Sequence, residues 1–151
     1  MGAIMEFATE KQIASFLSTC RIEGQKNFLM AFKKKTWLKS FIDFFIIGGN
    51  YYVQSSVKPK IIAFTSMGIY LMDISDITEN RSNHVVEMSW NQVKDFTYKS
   101  VLNTVRLNWN YQNEDFIFSV DVGQVSQHVG QYQFNKDHYD CLVQQDFFRS
   151  Q

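Results

Sequence analysis

Proline occurs once in 151 residues, at position 59, and cysteine twice. A chain so poor in proline, with 16% aromatic residues that include 14 Phe and 7 Tyr, is not composed like a disordered segment; it points to strands and packed rings. Cys20 and Cys141 lie far apart with no C-x-x-C spacing, which excludes a zinc knuckle or a dithiol redox motif and leaves buried free thiols as the expectation. Formal charge is zero, so no whole-protein field draws the chain to nucleic acid or membrane. The longest apolar run falls far short of the roughly 20 residues that span a bilayer. The start, MGAIMEFATEK, lacks a basic n-region, an apolar h-region and a cleavage signature, and Glu6 stands where myristoylation wants Ser or Thr. A cytoplasmic protein is expected, in which the Asn80-Arg81-Ser82 sequon is silent.

Catalytic motifs are missing as well. There is no G-x-S-x-G, no H-E-x-x-H and no phosphate-cradling glycine loop, and the reading is a non-enzymatic protein without cofactor or metal. A remote alternative places a metal or enzyme site at His138 and Cys141, spaced i, i+3 on a helix, against a solvated His beside a core Cys. Single-stranded nucleic-acid binding by aromatic stacking is disfavoured, because most rings fall at inward-facing strand positions of a neutral chain.

What is present is ordinary for one globular domain over 1–151: 45% hydrophobic and 20% charged residues. Charge is unevenly placed. Residues 21–60 carry eight Lys or Arg against two Asp or Glu, a net +6 that the rest of the chain cancels. Within it, KKKTWLKSFIDFFIIGGNYYV (33–53) runs three lysines into an apolar segment. A helix from Thr36 to Ile47 would put Trp37, Leu38, Phe41, Phe44 and Phe45 on one broad side and Lys39 with Asp43 on the other. Its apolar C-terminal half favours core or subunit packing, with Phe41, Phe44 and Phe45 as candidate interface residues of a homo-oligomer. The alternative is weak anionic-lipid contact through Lys33, Lys34, Lys35, Trp37 and Lys39, which requires the strand before them to end so that the lysines gather on one rim.

Local patterns outline the rest. Thr9 with Gln12 forms a capping box ahead of Ile13, Phe16, Leu17 and Cys20, predicting a helix over about 9–21. Alternation from Phe28 to Phe32 predicts a buried first strand. Lys60 to Thr65 and Ile69 to Met72 read as a hairpin about Ser66-Met67-Gly68, followed by a polar loop, SDITENRSN. Val86, Met88 and Trp90 alternate in the next strand, and Phe96 and Tyr98 continue after a turn at Asn91-Gln92. The clearest hairpin pairs Val105, Leu107, Trp109 and Tyr111 with Phe116, Phe118, Val120 and Val122 across Gln112 to Asp115. The segment from 123 to 134 reads as a loop with a short strand at Tyr132 to Phe134. Asn135 then caps a last helix, over about 135–149, with Tyr139, Leu142, Val143 and Phe147 along one side. This α+β order predicts a sheet curled into a partly open barrel over about 28–134 and plugged by the last helix.

The segments IIAFTSMGIYLMDI, MSWNQVKDFTYK and the TVRLNW–FIFSVD hairpin, followed by a closing helix, resemble the bacterial pleckstrin-homology-like (PH-like) domains over roughly 28–149. The resemblance implies a helix-capped, partly open antiparallel barrel, with the apolar segment after the first strand as an insertion. It also implies a binding or scaffolding role toward a protein partner or a second copy. No arginine stands among Lys33, Lys34, Lys35 and Lys39, so the planar fork that grips phosphate bidentately is absent there.

Overall fold

The computed structural model describes residues 8–34, 59–123 and 134–148. Helix α1 spans Glu10–Thr19 and begins with the expected capping box: Gln12 N–H donates to Thr9 Oγ1 at 3.1 Å, and Thr9 N–H donates to Gln12 Oε1 at 2.9 Å. It ends where Arg21 turns left-handed (φ 58°), Arg21 N–H reaching Ser18 O and Ile22 N–H reaching Leu17 O. Those two bonds form a Schellman motif, and its apolar pair, Leu17 and Ile22, is buried.

Seven strands follow: β1 (Phe28–Lys34), β2 (Pro59–Phe64), β3 (Gly68–Asp73), β4 (Val86–Ser89), β5 (Val93–Val101), β6 (Thr104–Tyr111) and β7 (Glu114–Asp121). All pairings are antiparallel and the order is β4-β3-β2-β1-β7-β6-β5. The outermost strands, β4 and β5, are separated in sequence only by the 3-10 turn Trp90–Gln92, so the sheet curls until its two ends meet at one corner. Opposite walls then touch: Trp109 Nε1 on β6 donates to Met88 Sδ on β4 at 3.2 Å, and the Phe64 and Phe96 rings lie 6.2 Å apart. Among the described residues the sheet is not closed, and the architecture is α+β.

Period-two alternation sorts the residues into two cores. Leu29, Ala31, Ile62, Phe64, Ile69, Leu107, Trp109 and Phe118 face the barrel interior. Phe28, Met30, Ile61, Ala63 and Met72 face outward, where α1 and a short helix α2 (Ile74–Thr78) cover them with Ile13, Phe16, Leu17, Ile74 and Ile77. Burial on both faces explains why β1 and β2 read as unbroken apolar runs.

Helix α3 (Phe134–Gln144) packs on β1 and β7. It too ends in a Schellman motif, with Asp146 left-handed (φ 52°), Asp146 N–H to Val143 O and Phe147 N–H to Leu142 O. The reversal seats Phe148 in the barrel interior beside Tyr98, Phe64 and Phe96, at 4.9, 5.2 and 5.6 Å between ring centroids.

Several expectations change. The polar stretch 75–83 contains the end of α2, started by Asp73 N–H donating to Asp76 Oδ2 at 3.0 Å, and a 3-10 turn, Ser82–His84. Ile74 and Ile77 hold α2 against the outer core, which the polar composition hid. The β6–β7 link is two residues, not four: Gln112 and Asn113 both take positive φ, 53° and 65°, as a type I′ turn requires, and Glu114 already pairs with Tyr111. Trp90 lies in a 3-10 turn, its Nε1 donating to Thr65 O at 2.6 Å. Phe134 starts α3 rather than ending a strand; Tyr132 lies outside the described residues.

Candidate functional site

The strand expected to end before the lysine cluster takes in its first two members. β1 continues through Lys33 and Lys34, whose backbones pair with Phe118 and Ile117 of β7. Lys33 shares the face of Phe118; its Nζ lies 4.9 Å above the Phe116 ring and 3.9 Å from Glu114 Oε1. The strand does not end before the lysines because β7 extends alongside and supplies its ladder. Lys35, Trp37, Lys39, Phe41, Phe44 and Phe45 lie outside the described residues.

His138 and Asn135 meet instead at the junction of α1, β1 and α3. β7 pairs with β1 at Phe32, Lys33 and Lys34, and toward the start of β1 side chains of α3 take its place. Asn135 Oδ1 accepts from Met30 N–H at 2.8 Å, and its Nδ2 donates to Met30 O at 2.9 Å and to Asp121 O at 3.1 Å. The amide thus acts as one more strand residue between β1 and β7. It is buried inside the helix, not an N-cap. One turn on, His138 Nδ1 donates to Phe28 O at 2.8 Å, and Nε2 lies 2.9 Å from Glu10 Oε1 of α1.

His138 is 0% exposed and Cys141 half-buried, which reverses the expected solvated His beside a core Cys. Both ring nitrogens are engaged, and among the described residues no group of three His, Cys, Asp or Glu is placed to hold a metal. The buried side of α3 is therefore Phe134, Asn135, His138 and Leu142; Val143 is exposed and Tyr139 half-buried. Burial pushes the Tyr139 hydroxyl and the Cys20 thiol above their ordinary values. Nearby, Lys26 Nζ lies 3.2 Å from Asp137, and that hydrogen bond raises the ammonium.

The barrel corner exposes backbone. β4 and β5 end the sheet, and among the described residues no strand pairs with their outer edges. The first part of β5 carries a bulge between Lys94 and Thr97, with Asp95 at φ 55°, whereas Thr97 to Val101 pairs regularly with β6. Val101 is 53% exposed and Leu102, at the hairpin tip, 95%. Lys99 lies directly opposite Arg106, and neither has an ion-pair partner among the described residues. Against the β2–β3 turn is a cleft of about 550 Å³ bounded by Glu23, Ser66 and Phe147.

Comparison of this chain with protein-family models, curated proteins and solved structures finds no match. The contacts that sequence reading missed join distant residues: Glu10 with His138, Met30 with Asn135, Glu23 with Ser66. Local spacing carries no signal for such pairs. Only the i, i+3 repeat of Asn135 and His138 on one helical side could have singled them out.

Proposed function

We propose that this chain is a non-enzymatic, PH-like binding or scaffolding module that engages a protein partner or a second copy of itself. The PH-like reading is supported by the helix-packed, curled antiparallel sheet, by the turn from Thr65 into β3, and by Val93 and Phe96 following Trp90. The observation that carries the binding role is the outer edge of β5 from Thr97 to Val101, regular on its β6 side and without a strand on the other among the described residues. An open edge presents unpaired N–H and C=O groups to an incoming strand, the basis of recognition by strand addition. Lys99 and Arg106, side by side on the exposed face, favour acidic side chains on that strand.

Sedimentation equilibrium across micromolar concentrations, combined with amide hydrogen exchange, tests this. Self-association through β5 raises the mass above 17.7 kDa while the amides of 97–101 become protected. A protein partner protects the same amides at constant self-mass. Unchanged exchange at β5, in concentrated protein and with every partner retained on the immobilised chain, would overturn strand addition.

A further inference from the structure

The cleft beside the β2–β3 turn is lined by the α1–β1 loop, the turn itself and the end of α3. Its polar groups divide by kind. Ser66 Oγ donates to Glu23 Oε2 at 2.8 Å, and among the described residues no donor reaches Glu23 Oε1. Asn27 Nδ2 donates to the carbonyls of Glu23 and Phe64, both at 2.8 Å, which fixes the amide orientation and leaves Oδ1 buried with no donor. Gly24 lies against that oxygen; a Cβ there would come within 2.2 Å of it. Thr65 is spent within the turn: Oγ1 donates to Gly68 O and accepts from Met67 and Gly68 N–H, while its carbonyl accepts from Trp90.

The side-chain donors of Asn27, Thr65 and Ser66 are therefore consumed, and Glu23 Oε1 is left as an unspent acceptor on a carboxylate. Among the described residues no Lys, Arg or His lines the cleft, and the neighbouring Lys26 pairs with Asp137. Of the apolar lining, Phe64 and Leu142 are buried, and the half-buried Phe147 supplies the accessible ring. We infer that this cleft binds an organic cation: a primary ammonium or guanidinium whose charge meets Glu23 and whose apolar stem lies along Phe147. A cation meets the opposite charge of Glu23 and gains from the Phe147 ring, whereas an anion meets like charge there. The exposed amides of Gln25 and Gln145 at the rim can turn their oxygens to the remaining N–H groups. The site stands independently of strand addition at β5.

Amide NMR titration of the intact chain with butylammonium, butylguanidinium, butanol and butyrate tests it. Both cations should give saturable shifts at Ser66, the Asn27 side-chain amide and Phe147 that weaken with salt, while butanol and butyrate leave these signals in place. Glu23→Gln keeps an acceptor for Ser66 and should weaken both cations about tenfold, the loss of one charge-assisted hydrogen bond. If Glu23→Gln proves unstable, Gln145→Glu adds a second carboxylate and should tighten cation binding. A blocked hexapeptide with one central Lys or Arg separates the sources: tighter binding than the free amine assigns a polypeptide side chain, and weaker binding a small amine. Equal shifts with butanol, or cation affinity within twofold in Glu23→Gln and Gln145→Glu, overturns the inference.

Discussion

Glu10 Oε1, in the first turn of α1, lies 2.9 Å from Nε2 of His138, whose Nδ1 is committed to Phe28 O on β1. A carbonyl only accepts, so Nδ1 carries a proton, and the second contact needs another proton between Nε2 and the carboxylate. One imidazole thereby ties two helices and the first strand together. Glu10 is 55% exposed at its side chain and His138 wholly buried, so the two ends of the contact differ in worth. His138→Phe strands the Phe28 carbonyl and should cost roughly 1–3 kcal/mol, whereas Glu10→Gln retains a partner and should cost well under 1 kcal/mol. Urea unfolding of both variants checks the order; an equal or larger loss in Glu10→Gln contradicts it.

Asn135→Leu preserves volume but removes the partners of Met30 N–H and Met30 O and one partner of Asp121 O. With buried backbone groups left unpaired, the loss should be about 3 kcal/mol or more, and visible as faster exchange at Met30.

Leu102 and Asp146 occupy left-handed positions, at φ 56° and 52°, that glycine takes without a Cβ penalty. Asp146→Gly at the end of α3 and Leu102→Gly in the β5–β6 turn should each stabilise by about 0.5–1 kcal/mol, relief of strain exceeding the added chain entropy. Thermal melts that fall for both would refute the strain argument.

Tyr70 and Tyr139 both titrate above their ordinary value of 10.0, chiefly through burial, and the Tyr70 hydroxyl also donates to Glu87 at 3.1 Å. Lys26 is raised above 10.5 by its hydrogen bond to Asp137. In each case the folded state holds its proton more tightly, so the contribution is full below the unfolded value and is lost as pH rises through the folded one. Stability should therefore decline above about pH 10, and Tyr139→Phe should flatten that decline. A melting temperature that stays constant through the phenolate transition would contradict this.

Where a pattern is local and its environment uniform, the sequence was legible. Thr9 and Gln12 close their box within one turn, and Val105, Leu107 and Trp109 alternate against Phe116, Phe118 and Val120 in a hairpin buried on one face. Legibility failed where a tertiary neighbour decided the outcome. Lys33 and Lys34 stay in β1 because β7 lies beside them, and Asn135 is no cap because Met30 offers it a strand edge. His138 looked solvated because nothing within its own helix names Phe28 or Glu10 as partners. Ile74 and Ile77 are two apolar residues in a polar stretch, too few for a period to show. The candidate site was less readable than the fold, since the edge of β5 is a property of strand order.

That same strand order shapes how the chain folds. The two-residue turns at 102–103 and 112–113 let β5, β6 and β7 assemble from near neighbours, on the microsecond scale of hairpins. The β1–β7 pairing joins Phe32 to Ser119 and closes a loop of roughly 87 residues, through three paired positions among the described residues. Such a closure gains little until Asn135 and His138 lock onto β1, so the docking of α3 should be the late, rate-limiting event. Substitutions at Asn135 or His138 would then act mainly on the folding arm of the chevron if the lock forms in the transition state, and on the unfolding arm if it forms afterwards.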